Sequence, residues 1–212
     1  MPRFVVTTAA AAALAMSSVA AAAQDWPSRV VRVIVPAAPG GSSDAAARLV
    51  TNHFQSVFRQ PFIVENKPGN GNATGAAFVA QAAPDGYTLL VSNSASNLTV
   101  PLVARNAGYD PVADFTHIVM LTSSPYVFAV YPDLVLTSWF GLSGPKNLDP
   151  RIVSRINREA RAFLKEPQMR KLAEIDASDP LDADAAGFAN YVAAEVARWG
   201  AVVRALDIKV EE

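Results

Sequence analysis

V-I-V-P-A-A-P-G-G-S-S-D, the stretch from Val33 to Asp44, encodes a buried strand, a glycine turn and the start of a helix. Its β-branched residues favour the strand, and serine and aspartate are common at helix N-termini. The first turn of a helix leaves backbone N–H groups without intrahelical partners and carries a partial positive charge. Gly40 and Gly41 would let a ligand come close to the main chain. The stretch therefore predicts a site for a carboxylate or a phosphate at residues 40–43.

A purely structural interpretation of the same stretch stays open at this point. Serine and aspartate cap many helices that bind nothing, and Gly-Gly is an ordinary tight turn between a strand and a helix. The remaining sequence has to decide between the two interpretations.

The pattern after this turn predicts alternating strands and helices. Apolar residues recur at helical spacing between Asp44 and Phe58, at Leu49, Val50, His53, Phe54 and Val57. A strand is predicted at 62–65, a helix at 74–83 and a strand at 87–92. This order is typical of βαβ units in a mostly parallel sheet. Ligands of such sheets bind beyond the carboxyl ends of the strands, where residues 36–43 and 92–97 would lie.

The composition limits the classes of function. The 212 residues contain 18 Lys and Arg, 19 Asp and Glu, and no cysteine. A balanced charge without a basic cluster argues against nucleic-acid binding. The absence of cysteine excludes disulfides, thiolate metal sites and cysteine nucleophiles. The two histidines and the scattered aspartates show no catalytic or metal-ligand spacing, so no catalysis, metal or cofactor is predicted.

The first 23 residues have the pattern of a secretory signal peptide. A basic start at Met1–Arg3 precedes an uncharged apolar run from Phe4 to Ala15, and Ala21–Ala23 forms a small-residue cleavage site. The run is shorter than the roughly 20 residues that span a membrane. We expect cleavage before Gln24, export to the periplasm, and no membrane span in the rest of the chain. An uncleaved anchor is the alternative.

Four ordered motifs carry a family resemblance. They are I-V-P-A-A-P-G-G-S-S-D (34–44), Q-P-F-I-V-E-N-K-P-G-N-G (60–71), P-D-G-Y-T-L-L (84–90) and Y-D-P-V-A-D-F (109–115). With these motifs the chain resembles the solute-binding receptors of tripartite tricarboxylate transporters, the Bug-type periplasmic proteins. The C-terminal part, including S-W-F-G-L at 138–142, is similar to the tail of that family.

The resemblance implies an α/β fold of the periplasmic-binding-protein type (type II), whose two lobes close over a small carboxylate solute. It implies a non-enzymatic receptor that presents the solute to membrane permease components. The ligand-binding candidates carried over from the family's loops are Ala38, Gly40, Gly41, Ser42, Asp44 and Ser92. A second negative charge repels a bound carboxylate, so a structural role at the helix start is the alternative for Asp44.

The second lobe of that fold is expected to be mostly missing. Val130–Leu134, which would lead into it, is followed almost at once by Ser138–Leu142, which would normally come after it. We predict the first lobe at residues 24–134, a junction at Val135–Thr137, and a C-terminal hinge strand and helices that pack on the first lobe at 138–212. One largely complete lobe, a parallel-rich sheet flanked by helices, would bind a solute weakly or not at all.

Two other interpretations stay open. One is an exported non-functional remnant or interaction module that keeps the scaffold. The other is a nucleotide-dependent oxidoreductase, suggested by G-N-G-N-A-T-G at 69–75, which approaches a dinucleotide-binding loop. Residues 66–68 separate this loop from the preceding strand, and no acid suited to a ribose ends the next strand, so the receptor interpretation is preferred.

Overall fold

A six-stranded sheet with helices on both faces makes up the described part of the chain. The computed structural model describes residues 26–104, 106–127, 135–175, 178–180, 183–205 and 207–208. Its strands are β1 (Val31–Val35), β2 (Phe62–Asn66), β3 (Thr88–Asn93), β4 (Phe115–Val127), β5 (Val135–Pro145) and β6 (Asp179–Pro180). Its α-helices are α1 (Ser42–Phe58), α2 (Ala73–Ala80), α3 (Val100–Val103), α4 (Pro150–Phe163), α5 (Pro167–Ile175) and α6 (Ala185–Ala205).

The strand order confirms the predicted α/β class, but the sheet is mixed rather than parallel-rich, because only two of its five strand pairings are parallel. Across the sheet the order is β2-β1-β3-β5-β4-β6. β1 runs parallel to β2 and β3, β5 is antiparallel to β3 and β4, and β6 is antiparallel to β4. β1, β2, β3 and β4 therefore share one direction. Their carboxyl ends lie at one edge of the sheet, where the turn after β1 and the loop after β3 are neighbours.

β1 is buried on both faces of the sheet. Val31, Val33 and Val35 belong to the larger core, together with Phe54 of α1. Side chains alternate along a strand, so Ile34 points the other way, into a smaller cluster formed with α2. Burial on both sides explains why Val33–Val35 is a continuous apolar run, whereas Arg32 near the start of the strand is only half-buried and pairs with Glu65.

The C-terminal helices pack on both faces of the same sheet. α4 lies on the face of α1, where Ile156 and Phe163 enter the larger core. α6 covers the other face at β4 and β5, where Phe188 and Val192 are buried against Trp139. These apolar side chains of both helices thus pack against the sheet.

α1 differs from its prediction in two respects. It begins at Ser42, two residues before the predicted start, because Gly41 takes the N-cap position. The predicted apolar stripe is wrong at Val57, which is 40% exposed. Ala46 and Ala47 are fully buried, so small residues occupy the sheet-facing side of the first turns.

β4 and β5 form a long antiparallel hairpin, of which only part belongs to the main sheet. The two strands pair over their whole length, whereas β3 pairs only with Phe140–Ser143 of β5. The predicted junction, Val135–Thr137, lies in β5 opposite Pro125–Val127. Residues 128–134, which precede it, lie outside the described residues. The proposed domain boundaries stay a prediction.

The predicted signal peptide, residues 1–23, also lies outside the described residues. Cleavage before Gln24 therefore stays a prediction. Among the helices that the structure does describe, none combines the length and the apolar character needed to cross a membrane.

A methyl group at Gly141 is expected to destabilise the fold. A Cβ at this position in β5 would lie 2.6 Å from Cε1 of Phe188 and 2.9 Å from the carbonyl oxygen of Val119. Overpacking of a buried site costs about 1–3 kcal/mol. We expect Gly141→Ala to lower the free energy of unfolding by that amount in urea denaturation.

Gly41→Ala is the control for this prediction. A Cβ at Gly41 would meet no atom within 4 Å. Only the poorer N-cap preference of alanine remains, about 1 kcal/mol or less. An equal loss of stability in the two variants would contradict the packing argument.

Candidate functional site

The turn between β1 and α1 exposes the start of a long helix. Gly41 is the N-cap residue of α1, in an extended conformation (φ −83°, ψ 174°), and no side chain caps the helix there. Gly40 has φ 89°, a left-handed conformation that favours glycine. The space above both glycines is open, because a Cβ built on either meets no atom within 4 Å. Ala38 and Ser42 are exposed beside them, so an anion can approach the backbone of residues 40–42, whereas Ser43 is buried, with 6% of it exposed.

Asp44 holds this turn from the protein side. Its side chain is only 5% exposed. Oδ2 accepts hydrogen bonds from the backbone N–H of Gly40 at 3.1 Å and from Nε of Arg48 at 2.8 Å. Oδ1 accepts from Nη2 of Arg48 at 3.1 Å and from Nδ2 of Asn66 at 3.0 Å. The carboxylate is thus satisfied within the protein, which favours the structural role over direct ligand contact.

The charge of Asp44 is compensated by its neighbour on the helix. The hydrogen bonds from Arg48, and then those from Gly40 and Asn66, lower the pKa of Asp44 to about 2, although burial opposes the shift. Asp44 in return raises the pKa of Arg48. The negative charge of Asp44 is therefore balanced by a guanidinium one turn along α1. The i,i+4 spacing of the two residues was the available sequence signal, but the prediction did not include Arg48.

Asn66 is a second anchor that the prediction did not include. It ends β2 beside Val35, the last residue of β1. Its Nδ2 donates to the carbonyl oxygen of Ala37 at 3.0 Å as well as to Asp44. The backbone N–H of Lys67 donates to the carbonyl oxygen of Val35 at 2.8 Å. These bonds tie the turn to the neighbouring strand, and only the pairing of β1 with β2 brings Asn66 to it.

Ser92 is fully buried in β3. Its Oγ lies 3.0 Å from Oγ of Ser143, which lies 2.9 Å from Nδ1 of His117. Nε2 of His117 lies 3.1 Å from the carbonyl oxygen of Pro111. Because a carbonyl only accepts, we assign the proton to Nε2, so that Nδ1 accepts from Ser143. Ser92 thus belongs to a buried hydrogen-bonded chain and not to the open turn, and its role in ligand binding stays a prediction.

The loop after β3 is shaped by its own polar side chains. Oδ1 of Asn93 accepts from the backbone N–H of Ser96 at 2.8 Å, and Oγ of Ser96 donates to Oδ1 of Asn97 at 2.8 Å. The hydroxyl of Tyr109 donates to the carbonyl oxygen of Ser96, and burial raises the pKa of Tyr109 above its ordinary value. Nδ2 of Asn97 is buried and finds no hydrogen-bond partner among the described residues. These internal hydrogen bonds hold the shape of the loop.

The described residues show no constellation of metal-ligating or catalytic side chains. They contain no group of three or more metal-ligating side chains. His117 and Ser143 are both buried, and the second nitrogen of His117 faces a carbonyl oxygen instead of a carboxylate. His53 is stacked on Phe163, with 4.6 Å between the ring centroids. Neither histidine is placed to act on a molecule bound at the turn.

A family profile and several curated proteins resemble the chain. The profile of the tripartite tricarboxylate transporter family receptor matches residues 46–136 and 131–208. A UPF0065 protein of Bordetella bronchiseptica is 38% identical over 108 residues, which cover 51% of this chain and 32% of that protein. Protein BugT of Bordetella pertussis is 37% identical over 117 residues, which cover 55% of this chain and 36% of that protein. The chain thus spans about a third of the length of the curated relatives it matches.

Solved periplasmic binding proteins share the fold. An R. palustris protein solved with adipate superposes with a TM-score of 0.78 at 20% identity, covering 87% of this chain and 99% of that chain. MatC from Rhodopseudomonas palustris with bound malate superposes with a TM-score of 0.78 at 20% identity, covering 84% of this chain and 100% of that chain. Periplasmic binding protein BugD superposes with a TM-score of 0.76 at 17% identity, covering 88% of this chain and 100% of that chain. This likeness confirms the predicted fold class. The described residues form a single sheet, so they lack the second lobe, as predicted.

Acid is expected to destabilise the protein through His117. Burial lowers the pKa of His117 from 6.5 to about 4. Above pH 6.5 the imidazole of His117 is neutral in both the folded and the unfolded chain, so His117 adds no pH dependence to the stability there. As the pH falls through this window, only the unfolded chain takes up the proton, and the free energy of unfolding drops by about 3 kcal/mol. Urea denaturation at pH values between about 7.5 and 4 measures the drop.

His117→Gln is the matching variant, because it removes the titrating group while it keeps a donor and an acceptor. Its stability should fall less over the same pH window. An identical pH dependence in the two proteins would contradict this role for His117.

Proposed function

The chain belongs to the tripartite tricarboxylate transporter receptor family, and we propose that it is a non-enzymatic solute-binding protein for a small carboxylate. The observation that carries the proposal is the open N-terminus of α1. Its turn is exposed, lacks a side-chain cap, and is held in shape by Asp44 from the protein side. A carboxylate at residues 40–43 would complete this turn.

The proposed donors are backbone N–H groups. α1 is 17 residues long, so its aligned peptide dipoles place a partial positive charge at its start. The N–H of Gly40 already donates to Asp44. The donors proposed for the ligand are the N–H groups of Gly41, Ser42 and Ser43, at the N-cap and in the first turn of α1. Main-chain donors suit any carboxylate, so this end of the site sets the class of ligand and not the particular acid.

Two solved relatives support the carboxylate class. One R. palustris protein was solved with adipate, and MatC was solved with malate. Both ligands carry two carboxyl groups. For this chain we propose the shared chemistry, a small organic acid bound through one carboxylate.

A single lobe is proposed to bind this solute weakly. A two-lobed receptor buries most of its ligand, whereas one lobe leaves the ligand half in water, which competes for every hydrogen bond. A receptor with micromolar affinity has about −8 kcal/mol of binding free energy, and half of that corresponds to a millimolar Kd. The proposed affinity is therefore in the millimolar range.

The proposed place of action is the periplasm, after removal of residues 1–23. The proposed partners are the carboxylate solute and the membrane permease components of a tripartite transporter. Solved relatives described as periplasmic support this location.

Malate and adipate are expected to bind the purified chain with millimolar Kd. Titration to about 50 mM, followed by the backbone amide signals in NMR, covers this range. The signals of Gly41, Ser42 and Ser43 should move most. The corresponding diamides, which lack the negative charge, are the control and should not move them.

Two outcomes would contradict the proposal. A Kd below about 1 μM would show that one lobe is enough for tight binding. No shift at these amides would remove the carboxylate site and favour the scaffold remnant or interaction module instead.

Ser42→Pro tests the main-chain donors directly. Ser42 is the first residue of α1, a position where proline is well tolerated, and Gly41 before it is extended, as a residue before proline prefers. The substitution removes one N–H and should raise the Kd about three- to tenfold, the value of one hydrogen bond. Ser42→Ala keeps the N–H and is the matched control. Equal weakening in both variants would assign the effect to the hydroxyl and contradict the main-chain site.

A further inference from the structure

Arg48 stands out because it is joined to the turn without forming part of it. Its Nε and Nη2 lie 2.8 and 3.1 Å from the two oxygens of Asp44. The Arg48 side chain as a whole is 54% exposed to solvent. The other donors to Asp44, Gly40 N–H and Asn66 Nδ2, carry no net charge. Among the contacts of this carboxylate with the described residues, Arg48 alone therefore supplies a compensating positive charge.

We propose that Arg48 is a charge-compensating positioning residue, which allows a turn built on a buried carboxylate to attract a second one. The inference rests on the proposed function, because it concerns affinity for a carboxylate at residues 40–43. Arg48 acts through Asp44 and does not touch the ligand.

The turn needs a hydrogen-bond acceptor at position 44 for its shape. Asp44 accepts from Gly40 in the turn and from Asn66, and Asn66 also holds Ala37. The negative charge of Asp44 lies in the first turn of α1, where it opposes the partial positive charge of about half a unit at the helix start. Without Arg48, the site would have a net negative charge facing an anion. With Arg48 the pair is neutral, and the helix start keeps its attraction.

Arg48→Gln tests the charge at nearly constant length. We expect it to raise the Kd for malate about tenfold, since a full charge within a few ångströms of a partly solvated anion has an effect of that order. Arg48→Lys keeps the charge but loses the paired hydrogen bonds. Its Kd should stay within about threefold of the wild type.

A double variant separates charge compensation from direct contact. Asp44→Asn combined with Arg48→Gln removes both charges and leaves an amide oxygen that can accept from Gly40. Its Kd should return to within about threefold of the wild type, because no uncompensated charge remains. If Arg48 bound the ligand itself, the double variant would stay as weak as Arg48→Gln.

Arg29→Gln is the matched control. Arg29 forms an ion pair with Asp85 at 2.9 Å and is 63% exposed, so the substitution removes the same charge from a similar pair. It precedes β1, at the opposite end of the strand from the turn. The Kd of Arg29→Gln should stay within about twofold of the wild-type value, because salt screens the effect of a charge this far from the turn.

The outcomes distinguish this inference from the proposed function. The experiment is the NMR titration with malate, and thermal unfolding of each variant checks that it is folded. Wild-type binding with an unchanged Kd in Arg48→Gln, or with no recovery in the double variant, would overturn the inference alone. Absence of wild-type binding would overturn the proposed function and the inference with it. If Arg48→Gln does not fold, a tenfold loss in Arg48→Lys would overturn the inference.

Discussion

A buried carboxylate at the first turn of α1 is the interaction on which the candidate site depends. Asp44 receives donors from the turn, from its own helix and from the end of the neighbouring strand, through Gly40, Arg48 and Asn66. A turn with two glycines and no side-chain cap would otherwise have many conformations open to it. Holding it in one shape before a ligand arrives reduces the ordering cost of binding. Burying an ionised side chain costs free energy unless the charge is paired and hydrogen-bonded. Here the groups that bond Asp44 include Gly40 and Asn66, which the turn needs in fixed positions.

The same turn shows what one lobe can and cannot supply. The sheet brings the carboxyl ends of β1 and β3 together, and α1 adds a helix start with open space above it. These features provide donors and a partial charge on one side of a solute. In the described residues nothing from a second sheet covers the opposite side, so water stays in competition with the protein. The proposed weak affinity follows from this geometry and not from a defect in the turn.

Some parts of the fold and the site were predictable because their causes are local. The apolar run before Gly40 and the helical spacing up to Phe58 placed β1 and α1 almost correctly, and four ordered motifs led to the family. Other parts were not. Val57 fits the apolar stripe but is 40% exposed, because the packing of α1 on the sheet favours the side that carries Ala46. The hydroxyl of Ser92 bonds a residue 51 positions away, a contact that the sequence could not predict, and its role in ligand binding stays a prediction.

The amino-acid sequence by itself determined the strand–turn–helix at residues 33–44, the βαβ order and the family, since each depends on neighbouring residues or on motifs in order. Only the tertiary structure decided what Asp44 does. Its role depends on Asn66, which is 22 positions away and reaches the turn because β2 pairs with β1. Hydrogen bonds act over about 3 Å, whatever the separation along the chain. A carboxylate that the sequence leaves open between ligand contact and helix-start residue is held, once the sheet is formed, as an internal anchor of the turn.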